Sequence, residues 1–172
     1  MKSAMFFAFL FCFSNICKAD SFTANFTGNL VHGACDISPK SLEQTVDFGS
    51  IIIKSLYSDG ESPKSDLNIE LIDCDLKTAQ SATVTFSGIS DTDQPNYLAV
   101  TGDAKGVAVG IEVADDGMLV RINNPSPSFD LVQGDMTLKF KTFVKASPAA
   151  IKNQTIAVGN FSSTATFVIN YE

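Results

Sequence analysis

The chain has 172 residues and a formal charge of −7, from 12 Lys and Arg against 19 Asp and Glu. That length gives one domain with room for an appendage, and it is too short for an α/β barrel. With 45% hydrophobic and 18% charged residues the chain has the composition of a packed protein, not a disordered one. The acidic balance argues against nucleic acid, because phosphate recognition needs a clustered positive field. A single His removes most His-dependent triads and most metal sites.

The first 19 residues read as a secretory signal. Lys2 supplies a short positive start, and Ala4 to Phe13 is an almost unbroken apolar run. The run falls short of the roughly 20 residues a membrane-spanning helix needs. Cys17-Lys18-Ala19 places small residues at the −3 and −1 positions, which sets cleavage after Ala19. A lipid anchor on Cys17 fits less well, since Ile16 stands where a small residue is expected. Removing 19 residues, with Lys2 and Lys18 among them, leaves an exported chain of 153 residues and charge −9.

Cys12 and Cys17 leave with the signal, and Cys35 and Cys74 remain. An even pair in an oxidising compartment points to a disulfide. Closing a loop of that size is worth roughly 4 kcal/mol in the chain-entropy account. A two-Cys metal site is the alternative, but only His32 lies nearby and no fourth ligand is evident.

The rest of the chain reads as strands and turns. Phe22, Ala24, Phe26, Gly28 and Leu30 alternate with polar residues. Leu67, Ile69 and Leu71 do the same, followed by Ala82, Val84 and Phe86. Val107, Val109, Ile111 and Val113 share one face, and Asp116-Gly117 then leads into Met118–Ile122. Asp-Gly between two such runs predicts a hairpin. Met136, Leu138 and Phe140 alternate, and Ala165, Phe167, Ile169 and Tyr171 form the last strand. Turns are marked by Ser38-Pro39, Asp59-Gly60, Gln94-Pro95-Asn96, Pro125-Ser126-Pro127 and Ser147-Pro148. No window shows a sustained 3.6-residue apolar pattern with caps, and residues 145–159 read as a long connection. Short strands with regular turns predict an antiparallel, immunoglobulin-like β-sandwich.

Several of these stretches, in order, carry a resemblance. Phe26-Thr27-Gly28-Asn29-Leu30-Val31 leads into Ala34-Cys35, Val46-Asp47-Phe48-Gly49-Ser50-Ile51 follows, and Ile69-Glu70-Leu71-Ile72-Asp73-Cys74 carries the second Cys. Val84–Gly88, Gly106–Glu112 and Asp115–Gly117 come next, and the chain closes on Gly159 and Ala165–Glu172 with a penultimate Tyr171. The sequence resembles pilin subunits of chaperone–usher fimbriae, the type 1 fimbrial family, over essentially all of the exported chain. The run Val46–Ile51 resembles that family's "VDLG" strand.

The resemblance implies an all-β fold, an incomplete immunoglobulin-like sandwich lacking its final strand. It divides the chain into a signal peptide (1–19), an N-terminal donor-strand extension (20–34) and a pilin domain (35–172). An exposed sheet edge is a template for pairing with another chain. The family fills it first with a strand of a periplasmic chaperone and then with the extension of the next subunit. Head-to-tail contacts of this kind do not close, so they build a filament. The donor strand would present Phe22, Ala24, Phe26, Gly28 and Leu30, with Gly28 allowing close approach in a crowded groove. Gly159, Phe167, Ile169, Tyr171 and the carboxylate of Glu172 would form the chaperone-binding C-terminal strand. The short extension is more like that of an adaptor or minor pilin than of a rod pilin. The implied partners are the chaperone, the outer-membrane usher and neighbouring subunits, with no nucleic acid and no cofactor, and the implied location is a surface fimbrium supporting cell adhesion.

Other chemistry is thinly supplied. His32 has no second His to work with. Asp91-Thr92-Asp93 and Asp115-Asp116-Gly117 lack the remaining oxygens of a Ca²⁺ loop and read as turns. Asp73 and Asp75 flank Cys74, but paired carboxylates are common among 19 acids. No phosphate loop or nucleophile elbow is present, and an enzyme is not expected. The alternative to a fimbrial subunit is a self-complete, secreted lectin-like sandwich at a fibre tip.

Overall fold

The computed structural model describes residues 33–172. They form two packed sheets and two short helices. In chain order these are β1 (Asp36–Ile37), α1 (Ile53–Asp59), β2 (Ser65–Cys74), β3 (Ser81–Gly88), β4 (Leu98–Ala99) and β5 (Thr101–Gly102). Then come β6 (Val107–Val113), β7 (Phe129–Asp130), β8 (Gly134–Ala146), α2 (Pro148–Asn153), β9 (Phe161–Ser162) and β10 (Ala165–Tyr171).

The larger sheet has the order β1-β2-β8-β6-β4 and the smaller the order β10-β3-β7, with β5 and β9 paired separately. All pairings are antiparallel. The expected alternation explains the core. Ile69 and Leu71 of β2, Leu138 and Phe140 of β8, and Ala82 and Val84 of β3 are fully buried. Phe140 of the larger sheet meets Phe86 and Phe129 of the smaller edge-on, at 5.1 and 5.4 Å between ring centres. Such offset aromatic contacts add to simple burial. A disulfide joins Cys35 to Cys74, 39 residues apart.

Four expectations need correcting. Ser147-Pro148, read as a turn inside a long connection, starts α2: Ser147 stands at the N-cap and Pro148 in the first turn, where its missing N–H costs nothing. Before it, β8 runs on to Ala146. Asp59-Gly60 ends α1, with Gly60 N–H donating to the Leu56 carbonyl at 3.1 Å. Both helices are too short to show a helical period.

The run Val46–Ile51, likened to a strand, is not one. From Glu43 to Ile51 the chain makes no main-chain-to-main-chain hydrogen bond among the described residues. It is held by Gln44 Nε2 donating to the Asn68 carbonyl and by the packing of Phe48. The hairpin after β6 forms only at its tip. Val113 N–H donates to Met118 O, and Val120 N–H donates to Ile111 O. Asn123, at φ +63°, then redirects the chain, and its N–H donates to Phe86 O in the other sheet.

Candidate functional site

Among the described residues, strand β10 lies at the edge of its sheet. It pairs along its whole length with β3, from Ala165 opposite Gly88 to Tyr171 opposite Ala82. Its other edge carries no ladder among the described residues. Phe167, Ile169 and Tyr171 all point at the core, yet each is only half-buried. Ring centres of Phe86 and Phe167 lie 6.3 Å apart. Apolar side chains half in water beside backbone that no described residue pairs are the features strand addition can use.

An apolar pocket of about 90 Å³ lies just ahead of β10 in the chain. Ile51, Ile53 and Leu56 line it from the segment around α1, and Val158 and Phe161 from the run into β10. Val107 of β6 and Val144 of β8 also line it. Phe48 and Phe161 stand 6.1 Å apart beside it. Phe48 of the unladdered run and Phe161, just ahead of β10, thus meet beside the pocket.

At the opposite end of β10 the disulfide anchors the first strand. Asp75 N–H donates to Ala34 O at 2.7 Å, and the Tyr171 hydroxyl donates to Cys35 O at 3.3 Å. Burial, and secondarily the negative charge of Asp36, push the Tyr171 phenol above its ordinary value near 10. Away from the groove, Lys64 pairs with Glu112 at 2.6 Å and sits 5.5 Å above the Phe143 ring. The hydrogen bond to Glu112 raises the Lys64 ammonium and burial opposes it.

Of the residues singled out from the sequence, Phe167, Ile169 and Tyr171 share one face of β10. A main-chain oxygen of Glu172 accepts from the N–H groups of Gln80 and Ser81 at 2.8 and 2.9 Å. Gly159 lines the pocket. Phe22, Ala24, Phe26, Gly28, Leu30 and His32 lie outside the described residues. Both acidic loops are turns: Asp91 Oδ1 accepts from the N–H groups of Asp93 and Gln94, and Asp116 Oδ1 from Met118 N–H. Sequence reasoning missed the pocket. Its lining comes from separate stretches between residues 51 and 161, which no local period connects.

A model of the family described as "Fimbrial protein" matches residues 24–172. "Fimbrial subunit type 1" of Salmonella typhimurium is 35% identical over 164 residues, 87% of this chain and 82% of that one. The crystal structure of the P pilus rod subunit PapA superposes with a TM-score of 0.69 at 28% identity, covering 81% of this chain and all of that one. A subunit from the structure of a chaperone–usher pilus gives 0.68 at 28% identity, covering 92% and 100%.

Proposed function

The chain belongs to the fimbrial protein family and is a structural subunit of a chaperone–usher fimbria, and from that premise we propose that it polymerises by donor-strand exchange and supports adhesion. The observation that supports this is the edge of β10 that carries no ladder among the described residues, beside half-buried Phe167, Ile169 and Tyr171. In an immunoglobulin-like sandwich a last strand antiparallel to β10 would cover that face. The segment with Phe22, Ala24, Phe26, Gly28 and Leu30 has the alternation to be that strand in the next subunit. Its apolar side would lie on the groove, and its backbone would pair with β10.

Before assembly the same surface is an aggregation hazard. A periplasmic chaperone lending a strand would protect it, and the usher would exchange that strand for the next subunit's. Gly159, Phe167, Ile169, Tyr171 and Glu172 would lie against the chaperone. The short extension favours an adaptor position over the rod.

The test is expression in the periplasm of the full chain and of a chain lacking residues 20–30, each with and without the candidate chaperone and usher. The full chain should give fibres by electron microscopy. The truncated chain should give only a 1:1 chaperone complex by size-exclusion chromatography. Normal fibres from the truncated chain would overturn donor-strand exchange. A stable full-length monomer without chaperone would mean that the sandwich completes itself, as in the lectin-like alternative.

A further inference from the structure

Two glycines far apart in sequence mark a place where the chain crosses itself beside the pocket. Thr101 and Gly102 of β5 pair with Ser162 and Phe161 of β9. A Cβ on Gly102 would run into the main-chain oxygen of Asn160 and come within 3.1 Å of Phe161 Cα. A Cβ on Gly159 would lie 2.5 Å from Asp103 Cβ and 2.9 Å from Ala104 N. Their φ values, +115° and +153°, lie where residues with side chains are strained. The crossing is sewn together tightly. Asp103 and Ala104 N–H groups both donate to Asn160 O at 2.9 and 3.2 Å, and Lys105 and Ala157 exchange two main-chain hydrogen bonds. Lys105 Nζ donates to Gly102 O at 2.8 Å.

Both glycines are exposed, so core packing does not explain them. What the crossing does hold is one wall of the pocket, since Ala104, Val158, Gly159 and Phe161 all line it. A side chain at either position would collide with the facing backbone, so this wall of the pocket closes as it does only with glycine on both sides. We propose that Gly102, together with Gly159, is a positioning residue for strand addition: the crossing sets the depth of the pocket and so decides which apolar side chain of the incoming segment seats there. This rests on the strand-addition reading of the groove.

The test is a coupling measurement. The oxidised full chain and its Gly102→Ala variant are refolded by dilution with a labelled synthetic peptide of residues 20–31. Three further peptides carry Phe22→Ala, Phe26→Ala or Leu30→Ala. In the unmodified chain one of the three truncations should weaken binding at least tenfold more than the others. In Gly102→Ala the parent peptide should lose about tenfold, and that one truncation should cost little more. The other two truncations should cost the same in both chains. Such non-additivity marks a shared contact, and a variant that is merely less stable would not produce it. Equal weakening of all four peptides, or of none, overturns the proposal. Failure of every peptide to bind the unmodified chain would sink the strand-addition reading itself, and this proposal with it. Should Gly102→Ala not fold, Lys105→Ala removes only the Nζ contact at an exposed side chain. It should give a smaller loss confined to the same peptide pair, and a uniform effect there would equally overturn the proposal.

Discussion

Strands β3 and β10 lie side by side, run antiparallel and send the same kind of residue toward the same core. Val84 faces Ile169 across the ladder, Phe86 faces Phe167, and Ala82 faces Tyr171. Ala82 and Val84 are 0% exposed and Phe86 is 3% exposed, whereas all three partners remain half-buried. Composition and alternation do not separate the two strands. Neighbours do: β3 lies between β10 on one side and β7 with the 123–126 segment on the other, whereas among the described residues β10 has a ladder with β3 alone. Alternation therefore dictates which face of a strand turns inward, and lateral neighbours dictate how completely that face is covered. Among the described residues the inward face of β10 is apolar but only partly covered, which is what the strand-addition reading requires of it.

Truncating one aromatic on each strand gives the largest contrast. Phe86→Ala removes a ring packed edge-on against Phe140 and should destabilise the oxidised full chain by about 3–5 kcal/mol in urea unfolding. Phe167→Ala removes less buried area and should cost about 1–2 kcal/mol. Adding the residue 20–31 peptide should raise the cost of Phe167→Ala and leave that of Phe86→Ala unchanged. Equal costs without peptide would break the comparison, because they would mean that β10 is already as well covered as β3.

Much of this contrast was legible beforehand, and the reason for the rest is physical. The faces of β2, β3, β6, β8 and β10 follow from a period of two, which burial enforces locally. The Cys35–Cys74 bridge followed from counting cysteines once the first 19 residues are read as a signal. The two helices escaped because six or seven residues are less than two turns. The strand likened to Val46–Gly49 was missed in the other direction. Its sequence suits a strand, but a strand exists only where a partner supplies the ladder, and none of the described residues does. The pocket and the Gly102–Gly159 crossing depend on segments more than 50 residues apart, so no window of sequence contains them.

A smaller effect sharpens the comparison at the disulfide end. Tyr171→Phe loses the hydroxyl donated to Cys35 O and should cost about 0.5–1.5 kcal/mol at neutral pH. The same residue makes β10 sensitive to alkali, while β3 carries no titratable side chain. The phenol is raised in the folded chain, so the fold holds that proton more tightly than the unfolded chain does. Its contribution is fully present below pH 10 and is lost as pH rises through the raised value. Tyr171→Phe should therefore lose less stability than the parent between pH 8 and 11. Part of the alkaline loss should persist, because Lys64 is also raised, by Glu112. An unchanged alkaline slope would remove the groove face from the titration.

The smallest effect is expected on the other side of β10. Val168 points outward opposite Thr85 and is 51% exposed. Val168→Thr keeps the β-branched shape that a strand favours and should change stability by less than about 0.5 kcal/mol. Its value lies in separating two faces of one strand. If β10 acts through its inward face and its open edge, Val168→Thr should leave fibre formation intact by electron microscopy, while Phe167→Ala should impair it. A Val168→Thr chain with unchanged unfolding that nevertheless failed to build fibres would show that the outward face also touches a neighbour. The asymmetry between β3 and β10 would then describe only half of the contact.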